Sequence, residues 1–344
     1  MAGSGVADMH DAWVLVVVAL GLAFEFVNGF HDAANAIATS VLTRALSIRN
    51  AVILCAALNF VGALSSTAVA ATMGKGIVDP SNVTSQVVVA ALLGAIIWDL
   101  ITWHLGLPTS STHAIVGGVI GAAAAHGGLG IIEWAGTKKI FLGLIISPLA
   151  GIIVAFVLMI VFLWVFGRHA PAKVNRKFRF VQVISAGMMA FSHGQNDGQK
   201  SMGIITMALM SGGVIASTAA GEHFTVPLWV MIACATAMGM GSGAGGWKII
   251  KTLGRNVMEL QPIHGCVAEL TAAGLIMTAS HVGAPISTTH VVSSAIMGVG
   301  MTKRLSAVKW KVAGNIFAAW VFTMPASAAF GYGAMALINL VAPS

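Results

Sequence analysis

The feature that most constrains this chain is a series of long apolar segments without charged residues. Ile140–Phe166, for example, has 27 consecutive residues and no Asp, Glu, Lys or Arg. A helix needs about 20 apolar residues to cross the hydrocarbon core of a bilayer. Only 8% of the chain is charged and its mean hydropathy is +0.90, whereas a soluble domain is about 25% charged. These values exclude a soluble fold and a disordered chain, and predict an integral membrane protein.

The apolar segments predict an all-α polytopic protein. Seven of them are long enough to cross, or nearly so: Trp13–Asn28, Ala51–Thr72, Val87–Leu105, Ile140–Phe166, Val226–Met240, His264–His281 and Val312–Val341. Four are too short: Ala114–Ala125, Val181–Phe191, Met202–Met210 and Val291–Met301. Short segments at matching places in two halves are typical of broken helices around a binding site.

The basic residues predict the orientation. Net charge is +7, and five basic residues lie in the linker 167–180. If that linker is cytoplasmic, 14 Lys and Arg face the cytoplasm and 3 face outward, which follows the positive-inside rule. Both termini then face outward, so each half crosses an odd number of times. We therefore predict two inverted-topology repeats, 1–166 and 181–344, in a cell (inner) membrane, and no nucleic-acid binding.

Two sequence motifs occur once in each half and in the same order. The first is NGFHDAANA from Asn28 to Ala36, which resembles HGQNDGQKS from His193 to Ser201. The second is PTSSTH from Pro108 to His113, which resembles PISTTH from Pro285 to His290. One copy of either motif would be weak, but the ordered duplication indicates an internal repeat. An inverted repeat is typical of a secondary transporter with its site near the membrane midplane.

The first motif supplies cation ligands. Asp32 and Asp197 lie in apolar sequence, where a charge costs about 2.5–3.5 kcal/mol, so such residues face a cavity or a cation. Carboxylate and amide oxygens suit Na⁺ or a titrating proton. We therefore assign cation or proton coupling to Asp32 and Asp197, together with the amides Asn35 and Asn196.

The second motif supplies an anion site. Each Pro is followed by hydroxyls at an expected helix start, where backbone N–H groups and the helix dipole bind oxyanions. We therefore expect the following residues to bind the substrate: Thr109, Ser110, Ser111, Thr112, Ser287, Thr288, Thr289 and, from the first motif, Gln199. His113 and His290 end the clusters and are assigned to site support or gating. Interhelical hydrogen bonding is the alternative role of the hydroxyls.

These motifs resemble those of the inorganic phosphate transporter (PiT) family, and bacterial low-affinity permeases in particular. Gly29–Ala36 and Gly194–Ser201 match its duplicated signature, and the two Ser/Thr clusters match its Pro-x-Ser-x-x-His pattern. The resemblance implies two re-entrant helical hairpins that carry the clusters toward a central phosphate. It also implies a homodimer and no cofactor. Whether the substrate is free phosphate or a metal–phosphate complex is left open.

The chain departs from the family pattern at His31 and Asn59. His31 stands where the first motif usually has Asn, and Asn59 where sodium-coupled eukaryotic members carry Glu. We take Glu269 as the second-half counterpart of Asn59 and assign both to coupling. The lost carboxylate and the resemblance to proton-driven bacterial permeases favour H⁺. Na⁺ held by Asp32, Asn35, Asp197 and Glu269 is the alternative.

Two further charged residues lie in apolar sequence near the first motif. Lys200 could offset the charge of phosphate or neutralise Asp197, or it could extend to the interface. Glu25 lies two helical turns before Asp32 and could line the same path.

The predicted function is therefore a symporter that imports inorganic phosphate. A sulfate permease of the same fold is the main alternative. An anion channel would need a ring of cationic side chains, and an enzyme would need a nucleophile and a base. The sequence shows neither pattern, so no enzymatic activity is expected.

Overall fold

The structure, a computed structural model, is built from helices, and it describes residues 2–75, 77–78, 83–215, 224–244, 249–250, 252 and 257–341. The first half contains α1 (Ala2–Leu42), α2 (Ile48–Leu64), α3 (Ala68–Lys75), α4 (Ser85–Leu105), α5 (Ser111–Gly127) and α6 (Trp134–Phe166). The second half contains α7 (Pro171–Ser211), α8 (Leu228–Ala244), α9 (Pro262–His281), α10 (Thr288–Lys303) and α11 (Trp310–Val341). Lys248, Lys251 and Arg255 of the orientation count lie outside the described residues.

The chain is a multi-pass membrane protein by length and apolar character. Five helices in the described ranges are long and apolar enough to cross a bilayer: Ala12–Leu42, Ser85–Leu105, Trp134–Phe166, Pro262–His281 and Trp310–Val341. Ile48–Leu64 and Ala68–Gly74, bent by 72° at their junction, pass the same test together. The outward faces of α6 and α11 are apolar and exposed, as expected for helices in contact with lipid.

Two expectations about helix boundaries are wrong. The short apolar segments Val181–Phe191 and Met202–Met210 are parts of one unbroken helix, α7. The polar motif between them lacks Pro, and its glycines allow close packing: a Cβ on Gly194 would lie 2.2 Å from the Asn59 carbonyl oxygen. The linker 167–180 is also mostly helical, because α7 begins at Pro171, a residue favoured in the first helical turn.

Helices of the first half pack against helices of the second half. Helix α2 packs on α7 and α8 packs on α1, while α5 packs on α11 and α10 packs on α6. Two of these contacts use a glycine in the same way. Gly62 of α2 lies against the Phe191 carbonyl of α7, and Gly241 of α8 lies against the Phe26 carbonyl of α1. Each half thus completes the packing of the other.

The glycine contacts correct one pairing made from the sequence. Gly194 packs on Asn59 of α2, and the matching Gly29 packs on Met238 of α8. Asn59 therefore corresponds to Met238, whereas Glu269 lies on a different helix, α9. The pairing of Asn59 with Glu269 is wrong because motif order does not fix which helices pack together.

Candidate functional site

Two helical hairpins present the Ser/Thr clusters. Gly106, with φ of 68°, caps the end of α4, and the turn after α9 contains Gly283, with φ of 69°. Both glycines lie in the left-handed region that favours glycine. Pro108 and Pro285 follow two residues later. Ser110 and Ser287 then cap α5 and α10 by accepting hydrogen bonds from the backbone N–H of the third following residue, at 3.3 and 3.2 Å.

The next hydroxyl of each cluster donates a hydrogen bond to the aspartate of the first motif in its own half. Ser111 Oγ donates to Asp32 Oδ2 at 3.0 Å, and Thr288 Oγ1 donates to Asp197 Oδ2 at 3.0 Å. All four side chains are buried. The two motifs of each half, distant in sequence, therefore meet at one place, as predicted.

Contacts between the halves bring these two places together. Thr289 Oγ1 donates to Asp32 Oδ1 at 3.2 Å and accepts from Asn35 Nδ2 at 2.8 Å. Thr112 Oγ1 donates to the Ile286 carbonyl of the other hairpin at 3.0 Å. The N-termini of α5 and α10 thus lie side by side against α1 and α7. We call the cluster of Asp32, Asp197, Ser111, Thr288 and Thr289 the paired site.

Buried basic groups accompany both carboxylates. Lys200 Nζ lies 2.7 Å from Asp197 Oδ1, and both side chains are fully buried. His31 Nδ1 lies 2.9 Å from Asp32 Oδ1. Lys200 therefore neutralises Asp197, one of the roles considered from the sequence, and does not extend to the membrane interface.

His193 completes a group with both carboxylates. One ligand atom from each of Asp32, His193 and Asp197 lies within 4.8 Å of the others. His193 Nδ1 is 3.0 Å from Asn59 Oδ1, and the Asn59 amide nitrogen donates to Ser242 Oγ at 2.7 Å. Because that nitrogen donates, the Asn59 oxygen accepts from His193 Nδ1, which leaves Nε2 directed at Asp197, 3.4 Å away. Asn59 therefore acts on the group through His193.

The arrangement can hold an anion and a cation together. The first N–H groups of α5 and α10 have no acceptor within their helices, and the positive ends of two helix dipoles converge there. This is the chemistry of an oxyanion site. The adjacent carboxylates, with the Asn35 amide oxygen, which is buried without a hydrogen-bond donor, supply oxygen ligands or proton acceptors.

Gln199 is not at this site. Its Oε1 accepts from the backbone N–H of Val69 at 2.8 Å and of Ala70 at 3.3 Å, and its Nε2 donates to the Gln195 carbonyl at 2.5 Å. Gln199 caps α3, and both ends of its amide are used. The structure thus gives Gln199 a capping role in place of the phosphate-binding role expected from the sequence, in which the short helix α3 was not recognised.

Asn196 is also used structurally. Its Nδ2 donates to Ser280 Oγ at 2.9 Å, and its Oδ1 accepts from the Ile286 backbone N–H at 3.4 Å. Asn196 thereby fastens the second hairpin to α7, which gives it a positioning role. Its assignment to cation coupling stays a prediction.

Glu269 and Glu25 lie beside the group without joining it. The Glu269 carboxylate accepts hydrogen bonds from Thr39, Ser185 and Gln182, so it is satisfied by protein donors. Glu25 is buried and accepts from Ser201, leaving its Oε1 without a donor. The structure thus separates Glu269 from the Asp32–His193–Asp197 group.

The two cluster histidines lie behind the hairpins. The rings of His113 and His290 are 4.5 Å apart, and the His290 ring stacks on Trp320 at 3.9 Å. Both rings line an apolar cavity. They support the hairpins from the side opposite Asp32 and Asp197.

Sequence reasoning missed two residues near the site. Asp99 of α4 is fully buried, and neither of its carboxylate oxygens has a hydrogen-bond donor. Thr102, whose hydroxyl donates to the Asp99 carbonyl, lies 3.1 Å from His31 Nε2. His193 was seen only as the start of a motif. Asp99 could have been identified from the sequence, because a carboxylate inside an apolar membrane span indicates a functional site.

Comparison with known proteins agrees with this geometry. Residues 28–331 match the profile described as "Phosphate transporter family". A Bacillus subtilis protein named "Probable low-affinity inorganic phosphate transporter" is 47% identical over 95% of this chain and 97% of its own. A Rhizobium meliloti protein of the same name is 44% identical over 93% of this chain and 96% of its own.

A solved structure has the same fold. It is titled "The sodium-dependent phosphate transporter", has a TM-score of 0.84 and 25% sequence identity, and covers 96% of this chain and all of its own. These proteins are transporters, not enzymes. With the family signatures meeting at one buried site, this chain belongs to the phosphate transporter family.

Proposed function

We propose that this protein imports inorganic phosphate by symport with a cation, and that the paired site binds both. The observation that carries the proposal is the convergence of two helix N-termini on two buried carboxylates. The hydroxyls of Ser111, Thr288 and Thr289 donate to these carboxylates in the structure, and would turn to the phosphate once a cation neutralises the carboxylates. The first turns of α5 and α10 supply N–H groups. Thr109, Ser110, Thr112 and Ser287 shape the two turns.

Charge balance is the reason for symport. Lys200 lies beside Asp197 and His31 beside Asp32, so the basic groups at the site are already paired with its two carboxylates. Phosphate would add further negative charge to this buried region, where an uncompensated charge costs several kcal/mol. Positive charge must therefore enter with the anion, on the carboxylates or beside them. A channel lacks this requirement, so we favour a coupled cycle.

We propose H⁺ as the coupling ion, with Na⁺ as the alternative. His193 contributes a nitrogen to the group that contains both aspartates, whereas Na⁺ prefers oxygen ligands. Glu269, an expected sodium ligand, is satisfied by three protein donors. The sodium-dependent structural relative is the reason for keeping Na⁺ as the alternative. The relatives described above are named for phosphate, so sulfate is not proposed.

We further propose two inverted repeats, with the basic linker on the cytoplasmic side, both termini outside, and a homodimer. The matched glycine contacts and the exchanged packing of the halves support the repeat. Cysteine labelling of an exposed linker position such as Lys177, compared from each side of sealed vesicles, tests the orientation. If the cysteine were labelled only from the side of the vesicle that corresponds to the outside of the cell, the cytoplasmic placement of the linker would be contradicted.

Uptake into proteoliposomes tests the transport proposal. Labelled phosphate is supplied under an imposed pH gradient without Na⁺, and separately under a Na⁺ gradient at equal pH. We expect accumulation with the pH gradient, with unlabelled sulfate failing to compete. Accumulation with the Na⁺ gradient alone would replace H⁺ by Na⁺ and keep the phosphate assignment. Downhill flux with neither gradient causing accumulation would contradict symport.

A further inference from the structure

A large apolar cavity lies behind the hairpins, on the side away from the paired site. Its volume is about 700 Å³, it is lined by residues of α5, α6, α10 and α11, and it is open on one side. Sites that bind small molecules have volumes of roughly 300–1,000 Å³ and are lined mainly by apolar side chains. Apart from His113 and His290, the lining side chains are apolar or aromatic, or belong to glycine and proline.

The mouth of the cavity faces the hydrocarbon of the bilayer. Ile145 and Leu149 of α6 and Val321 of α11 lie at the mouth, with exposed fractions of 60%, 56% and 71%. Pro148 and Pro325 are near the middle of their long helices, roughly 21–27 Å from either end at 1.5 Å per residue. The hydrocarbon core is only about 30 Å thick. At this depth the molecules that reach the mouth are acyl chains.

We propose that this cavity binds one acyl chain of a membrane phospholipid. The chain would enter between Leu149 and Val321, and its end would reach the rings of His290 and Trp320. The depth of the mouth, the apolar lining and the volume all suit hydrocarbon, and an ionised headgroup would find no cationic partner among the lining side chains. The occupied cavity would support the first turns of both hairpins, because His113 and His290 belong to those turns.

Trp320 makes the proposal measurable. The full-length protein is reconstituted in phosphatidylcholine vesicles whose chains are either unlabelled or dibrominated near the methyl end, since bromine quenches tryptophan fluorescence on contact. The contribution of Trp320 is the difference between the protein and its Trp320→Phe variant, because the chain has 9 Trp residues. We expect this contribution to be strongly quenched by brominated chains, although Trp320 is only 6% exposed.

A blocking variant provides the control. Leu149→Phe narrows the mouth and should remove most of the quenching of Trp320. Val157→Phe, on the same helix and 54% exposed but outside the cavity lining, should leave it unchanged. The proposal would be overturned if the Trp320 fluorescence were equal in brominated and unlabelled vesicles. It would also be overturned if Leu149→Phe and Val157→Phe showed equal quenching of Trp320.

A second measurement covers the case in which Trp320→Phe does not fold. Phosphatidylcholine with a photoactivatable group near the chain end is cross-linked to the wild-type protein, and the modified peptides are identified by mass spectrometry. Adducts on the cavity faces of α6 and α11 are expected. Lipid adducts that are absent from these faces but present on other exposed faces of α6 and α11 would overturn the proposal.

Discussion

The Asn35 amide donates a hydrogen bond over 2.8 Å to the Thr289 hydroxyl, 254 residues later in the chain. The same hydroxyl donates to Asp32 at 3.2 Å. Through Thr289, the second hairpin is therefore held against α1, the helix that carries Asp32 and Asn35. A movement that separates the second hairpin from α1 must break these hydrogen bonds, so the position of the hairpin depends on Asp32.

The two serines of the first cluster should separate into a binding role and a structural role. Ser111→Ala removes a hydroxyl directed at the site and should weaken phosphate binding by about 1–3 kcal/mol. Ser110→Ala removes the cap of α5 and should lower the free energy of unfolding by about 1 kcal/mol. Equilibrium phosphate binding and thermal unfolding of the purified variants measure both effects. Wild-type affinity in Ser111→Ala and in Thr288→Ala would contradict the anion site.

Both signature aspartates should be essential for coupling. Asp32→Asn and Asp197→Asn keep the shape of the side chain but remove the charge that a proton or Na⁺ must neutralise. We expect loss of gradient-driven phosphate uptake in both variants, with a normal unfolding temperature in Asp32→Asn. Asp197→Asn should unfold at a lower temperature, because it leaves the Lys200 ammonium buried without its partner, so its uptake is normalised to the folded protein. Glu133→Gln, at an exposed carboxylate, is the matched control and should transport normally. Uptake at the wild-type rate in either aspartate variant would remove that residue from the mechanism.

Lys200 and Asp197 should be energetically coupled. Lys200→Met leaves the Asp197 charge buried without its partner, which costs about 3–5 kcal/mol. Adding Asp197→Asn removes the charge, so the double variant should recover much of the lost stability without recovering transport. Denaturant unfolding of the two single variants and the double variant measures the coupling. Additive effects on stability would mean that the 2.7 Å contact contributes nothing.

Asn59→Glu should create or strengthen sodium dependence. The new carboxylate keeps an acceptor for His193 and adds a negative charge beside the Asp32–His193–Asp197 group. Initial phosphate uptake is compared in NaCl and choline chloride at equal pH, with Asn59→Gln as the neutral control. An unchanged ratio in Asn59→Glu would contradict the idea that residue 59 selects the cation. A requirement for Na⁺ in the unmodified protein would instead reverse the choice of H⁺.

Gln199→Leu should affect folding and not substrate affinity. The substitution leaves the Val69 and Ala70 N–H groups without their acceptor, at a cost of about 1–3 kcal/mol. Thermal unfolding should shift downward, while phosphate affinity in the folded fraction stays at the wild-type value. A loss of affinity with unchanged stability would return Gln199 to the binding site.

The sequence by itself determined the class of protein, the two motifs and their chemistry. Long uncharged segments leave only a membrane helix as a stable structure, because backbone polar groups must be satisfied inside lipid. A buried aspartate and a Ser/Thr cluster after proline keep their chemical meaning wherever they lie. Asp32, Asp197, Ser111 and Thr288 could therefore be identified from residue type and repetition, and the structure brings them together.

Only the tertiary structure decided which amides and acids reach the site. Gln199 and Asn196 look like ligands in the sequence, but α3 and the second hairpin occupy their hydrogen-bonding groups. Glu269 is satisfied by three donors from α1 and α7, while His193 reaches Asp197 because Asn59 holds its ring. A polar side chain forms its hydrogen bonds with the groups that helix packing places within about 3 Å. For these residues, those groups come from helices that are remote in sequence.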